Sequence, residues 1–297
     1  MSPLKLSGEK TVSPIRILPA LMLLSALIYA PCVVSQEVDP QEISLKQFDR
    51  LSRSFFEWRR VQQPSMGDDI PRVERPQGWV PDFSSEALEA YRETYRAYMD
   101  SLDALETASW PIEKQVDARL LRAAIQRVHW ELDILELPHR NPIFYVDQTL
   151  GSLFELLILS SPVDQQRIRE LIIRLQKFPD TLRDARENLT KPVRPFAEAT
   201  IAVLADVDER LSAVEKHLDP YVPNDLKREF HRAVSKGINS LENYRKLLQK
   251  HLDEMQTAFA IGPGSYAWFL THVALVPNTP GELLAQGRQA WNRAVAW

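Results

Sequence analysis

The side chains with chemistry to offer are six histidines, a large set of carboxylates and two aromatic-rich segments. The histidines are His129, His139, His217, His231, His251 and His272. A helical zinc-peptidase site needs two histidines four apart with a glutamate beside the first. No pair here has that spacing. His251 and Glu254 stand three apart and could offer two ligands from one helix face. No matching pair is evident on another helix, so a surface ion pair is the plainer reading. Glu131, Asp133 and Glu136 follow His129 and read as a solvated helix face rather than acid–base machinery. The chain has no Gly-x-Ser-x-Gly nucleophile elbow, no phosphate loop and no dinucleotide fingerprint. Asn188-Leu189-Thr190 has the form of a glycosylation acceptor.

The aromatic segments are Arg140-Asn141-Pro142-Ile143-Phe144-Tyr145 and Phe259 to Trp268. Both read as loops, the second holding Gly262 and Gly264. They are either packed corners between helices or the lining of a concave substrate site. On the second reading Tyr145, Tyr266 and Trp268 are the cleft candidates. No residue is assigned a catalytic or metal-binding role.

The elements that must position these groups are marked out by proline. The chain has 297 residues with 21 Pro and 9 Gly. Proline breaks helix interiors but suits a first turn, so Pro-free windows are candidate helices. Scarce glycine disfavours hairpin-rich folds. Windows at 41–62, 84–108, 112–137, 195–218 and 223–257 carry apolar residues at helical spacing. Leu204, Val207, Leu211, Val214 and Leu218 form a 3-4-3-4 seam in the fourth. Ser161-Pro162-Val163-Asp164 opens a helix expected to stop at Pro179. Thr279-Pro280-Gly281-Glu282 has capping-box form and opens a last helix. No stretch alternates long enough to demand a strand. The expected fold is all-α, a multi-helix array of antiparallel helices.

Lys5, Lys10 and Arg16 precede the apolar run Ile17–Ala30, and Val33 and Ser35 are placed for cleavage before Gln36. This is the three-part pattern of a secretory signal peptide, and the run is short of the ~20 residues of a membrane span. Residues 1–35 are therefore read as a signal, 36–83 as a helix and Pro-rich linker, and 84–297 as the helical domain. Cleavage after Ser35 takes the net charge from −4 to −6 and removes Cys32, the one cysteine. A cysteine-free exported chain has no disulfide or thiolate site. An acidic balance argues against nucleic acid as a partner.

Several short motifs in order carry a resemblance. They are Asp117-Ala118-Arg119-Leu120-Leu121, Trp130-Glu131-Leu132, Arg140-Asn141-Pro142 with Tyr145, and Phe178-Pro179. Ala185 and Asn188-Leu189 leading to Pro192, Phe259-Ala260-Ile261-Gly262 with Tyr266, and Thr279 to Leu284 with Gly287 complete the set. From about residue 40 onward the chain resembles the N-terminal part of the secreted bacterial domain-of-unknown-function family 885. The resemblance implies a zincin-like helical fold and a metallopeptidase or related hydrolase. The family's metal motif is a His-Glu-x-x-x-x-His-like segment in its C-terminal half, which this sequence lacks. No zinc is therefore expected in this segment, only in a longer form.

The last helix carries Trp291 and Trp297 and no stop signal. The expectation is the N-terminal portion of an exported zinc-dependent hydrolase. It would be inactive alone, acting on a peptide or small molecule with a missing C-terminal half as partner. The alternative is a self-sufficient exported binding or scaffold module.

Overall fold

A computed structural model describes residues 40–66, 75–159 and 162–296. The signal segment 1–35 lies outside them. Residues 39–297 group as one unit. The fold is all-α: the described residues hold no strand, only an isolated bridge between Val193 and Gln256. No helix among them is long and apolar enough to cross a membrane.

Helix α1 spans Pro40–Gln62 and α2 spans Ser85–Asp103. The Ser84 hydroxyl caps α2 by accepting from the Ala87 N–H. Leu88, Tyr91, Tyr95 and Leu102 of α2 are buried, the spacing of one helix face. Helix α3 spans Ile112–His129 and continues into a π turn over Trp130–Ile134.

The expected loop at 140–145 is two short helices, α4 (Leu137–Arg140) and α5 (Pro142–Val146). Asn141 caps α5 through its side-chain oxygen, and Pro142 occupies the first turn. A second π turn, Asp147–Gly151, leads into α6 (Ser152–Leu157).

The centre of the fold is the pair α7 (Gln165–Asn188) and α10 (Lys227–His251). The cap of α7 is Asp164, which accepts from the Arg167 N–H; Ser161 lies outside the described residues. Helix α7 does not stop at Pro179 but runs through it. Proline removes one N–H, the one that would meet the Leu175 carbonyl. Burial of Leu175 and Phe178 before it, and Leu182 and Ala185 after it, offsets that loss. Opposite this turn stands Gly237 of α10. A Cβ there would lie 3.3 Å from both Leu175 and Phe178, so glycine sets how closely the two helices approach.

Helices α8 (Arg194–Val203) and α9 (Val207–Leu218) divide the window expected as one helix. The seam survives the break, because Leu204, Val207, Leu211 and Leu218 are all buried.

The described parts of the expected linker, 63–66 and 75–83, are bound to the core. The Gln148 amide bonds the backbone N–H and carbonyl of Ser65, both at 2.9 Å. Gly78 adopts φ 72°, open to glycine, and aims its N–H at the Glu170 carboxylate at 3.0 Å. The Arg75 guanidinium stacks 4.1 Å over Trp79 and shares the Glu155 carboxylate with Arg174. Burial lowers the proton affinity of both guanidiniums, and Glu155 works against it.

Helix α11 (Gly262–His272) buries only Leu270, and α12 (Pro280–Val295) buries no residue. The capping box opening α12 is present, Thr279 Oγ1 accepting from the Glu282 N–H and Glu282 from the Thr279 N–H. Leu284, Trp291 and Val295 remain exposed.

Candidate functional site

The π turn after α3 gives His129 and the carboxylates behind it their positions. It is closed by the Leu135 N–H donating to the Trp130 carbonyl at 2.8 Å, one residue wider than an α turn. Such turns often accompany functional sites. Glu136 follows with φ 50°, a left-handed backbone that a non-glycine residue adopts at a cost. It ends the turn and swings the chain into α4.

Glu131 and Asp133 are therefore not part of a solvated face, while Glu136 is partly exposed and meets Lys191 at 2.9 Å. Glu131 points inward, 3% exposed, and is held by Arg59 at 2.6 Å and Arg127 at 3.1 Å. A buried carboxylate needs such pairing.

Asp133 turns the other way, toward α2. Arg92 Nε donates to Asp133 Oδ1 at 3.0 Å, and the Tyr95 hydroxyl donates to Oδ2. His129 Nδ1 lies 3.0 Å from the same Oδ2 and 2.9 Å from the Tyr95 oxygen. The tyrosine has one proton and gives it to Asp133. Nδ1 then donates its N–H to Asp133 Oδ2, and Nε2 makes no hydrogen bond among the described residues. Burial pulls the Asp133 carboxyl upward, but the hydrogen bonds from Tyr95, His129 and Arg92 outweigh it and hold it below the ordinary range. Burial, then the bond to Asp133, pushes the Tyr95 phenol up to about 12, so it remains a donor at neutral pH.

Helix α11 brings Trp268 against this group. Its ring meets His129 edge-on at 5.5 Å and stacks on Trp130 at 6.2 Å and 11°. His272, one turn further on, lies 4.9 Å from Trp268. Of the three expected cleft residues, Trp268 alone joins the cluster. Tyr266 is half exposed, and two residues along a helix turn it about 200° away from Trp268. Tyr145 is a core residue, fully buried, with its hydroxyl donating to the Pro138 carbonyl at 2.9 Å. The helical turn of α5 points it inward, so it has no surface to give a substrate. Burial raises its phenol pKa.

His251 Nδ1 and Glu254 Oε2 form an exposed contact at 2.9 Å. Asn188 is not free for glycosylation: it is buried, and its amide donates to the Phe83 carbonyl at 2.7 Å.

Zinc does not fit this donor set. Among the described residues no three His, Cys, Asp or Glu side chains converge on a point where a metal could sit. At the cluster only His129 and Asp133 are such donors, and Asp133 is already engaged by Tyr95 and Arg92.

The fold and site define a helical array with an aromatic-roofed imidazole at one edge. Residues 62–296 match the model of a family described as bacterial protein of unknown function, DUF885, and the chain belongs to that family. It is also similar in structure to a candidate lipoprotein of unknown function from Shewanella oneidensis. The TM-score is 0.60 at 13% identity, over 85% of this chain and 45% of that one. That likeness concerns the fold alone. The chain spans less than half the length of the Shewanella protein. No curated protein matches it.

Proposed function

We propose that this chain forms a substrate-holding wall of an exported hydrolase of the peptidase type, acting on a peptide or a small peptide-like molecule. The observation that carries the reading is Trp268 packed edge-on against His129, an aromatic surface beside an oriented imidazole with an unengaged Nε2. In this reading Nε2 accepts an amide N–H of the substrate, and Trp130 and Trp268 receive an apolar side chain. Asp133 and Tyr95 fix the tautomer and the ring plane.

Zinc, where a hydrolase of this type binds it, polarises the scissile carbonyl and lowers the pKa of its water. In this reading the role of the residues around His129 is binding and orientation. On the same reading, the zinc-holding helix belongs to the longer proteins that the family resemblance implies. Export is supported by the basic start, the Ile17–Ala30 run and Ser35, and by the lipoprotein description of the Shewanella relative.

A second reading, a self-sufficient exported binding or scaffold module, is favoured by the continuous core from Phe48 to Met255. The two readings part at α12. An apolar-surface dye that binds the chain and is lost in Trp291→Glu supports the wall. A cooperatively melting chain that binds no dye supports the module.

The test is the purified chain with peptide substrates and added zinc. The wall reading expects saturable peptide binding without hydrolysis. Metal-dependent turnover by this chain alone refutes it.

A further inference from the structure

Arg228, Arg232 and Lys236 recur every fourth residue on α10, so they share one face with a step of about 6 Å. All three are exposed, and none of their side chains has a hydrogen bond or ion pair to another described residue. Together they line a groove of about 460 Å³ between α10 and α7. Two carboxylates also line it, and both are engaged. Glu229 accepts from the Gln176 amide at 2.9 Å, and Asp225 faces Arg169 at 4.0 Å. Three cations against two carboxylates leave the groove lining positive by one charge, in a chain whose formal net charge is −4. The local sign is thus opposite to that of the whole molecule.

We infer that this groove binds a ligand carrying two or more phosphate groups. Guanidinium forks match phosphate oxygens two at a time. Cations one helical step apart reach separate anionic groups, so a single phosphate would leave part of the ladder unused. The volume suits a small molecule or a lipid headgroup. The site is separate from the His129 cluster and independent of the hydrolase reading.

Inorganic tripolyphosphate titrated into the full chain by calorimetry tests it, at about 0.1 M salt because exposed charges are screened. The expected result is saturable binding that weakens roughly tenfold or more in Arg232→Gln and Lys236→Gln. Lys250→Gln, an exposed lysine elsewhere on α10, should bind as the parent does. Thermal melting by circular dichroism confirms that each variant is folded, and Arg228→Gln replaces either one that is not. A second arm uses vesicles of cardiolipin, whose headgroup carries two phosphates, in phosphatidylcholine. Binding to vesicles but not tripolyphosphate assigns a lipid headgroup; the reverse assigns a soluble phosphate compound. Binding to neither overturns the proposal. So does an equal loss in Lys250→Gln, or a response to citrate matching that to tripolyphosphate.

Discussion

His129 Nδ1 and Asp133 Oδ2 stand 3.0 Å apart where α3 passes into the π turn at Trp130–Ile134. The contact orients an imidazole beside Trp268 and leaves Nε2 without a hydrogen bond among the described residues. Every element that touches the cluster holds it in place. Helix α2 supplies Arg92 and Tyr95, α3 supplies His129, and α4 braces Arg92 through His139 Nε2 at 3.2 Å.

Asp133→Asn tests the charge at the centre of this group. The Asp133 carboxyl is held below its ordinary range in the folded chain. Its contribution is fully present above the unfolded value, about 3.9, and is lost as pH falls through the folded value. The variant should be less stable at pH 7 by about 1.5–3 kcal/mol. The gap should close as the pH drops below about 4. Urea titrations of both proteins at several pH values measure it.

Asp184 behaves in the opposite sense. Burial raises its carboxyl pKa, and Arg183 and Lys177 offset this only in part. The folded state therefore favours the protonated form, and stability is lost as pH rises from the unfolded value through the folded one. Asp184→Asn should raise the melting temperature at pH 7 and leave it unchanged at pH 3. An equal rise at both would show that the charge is not the cause.

Gly237→Val tests the α7–α10 contact. A branched side chain there would push into Leu175 and Phe178, which a Cβ alone would meet at 3.3 Å. The expected loss is about 1–3 kcal/mol, read from chemical denaturation. Gly287→Val, on the exposed face of α12, should cost far less, because nothing lies within 4 Å of the Gly287 Cβ position.

The helical architecture was largely legible in the sequence because periodicity reports burial. Leu88, Tyr91 and Tyr95 fall on the core side as their spacing requires, and the Thr279 capping box opens α12 where it should. Errors arose where tertiary packing overrode a local signal. Pro179 looks like a stop until burial on both sides carries the helix through it. Gly262 and Pro263 look like loop residues, yet they open α11. The site was harder to read. A π turn has no signature residue, so nothing near Trp130 announces the one-residue shift that sends Glu131 inward and Asp133 toward Tyr95. Arg59 and Arg92, which stabilise those carboxylates, lie 72 and 41 residues away in sequence. Trp268 could be named from its aromatic neighbourhood, but its partner His129 could not.

The central claim is that Trp268 and His129 hold a peptide which this chain does not cleave. The direct measurement is tryptophan fluorescence of the purified chain during titration with short peptides bearing an aromatic residue, with cleavage followed in the same samples. The account predicts a saturable change in the parent, its loss in Trp268→Ala, at least tenfold weaker binding in His129→Ala, and no cleavage with or without zinc. Unchanged binding in Trp268→Ala, or zinc-dependent cleavage by the parent chain, would contradict it.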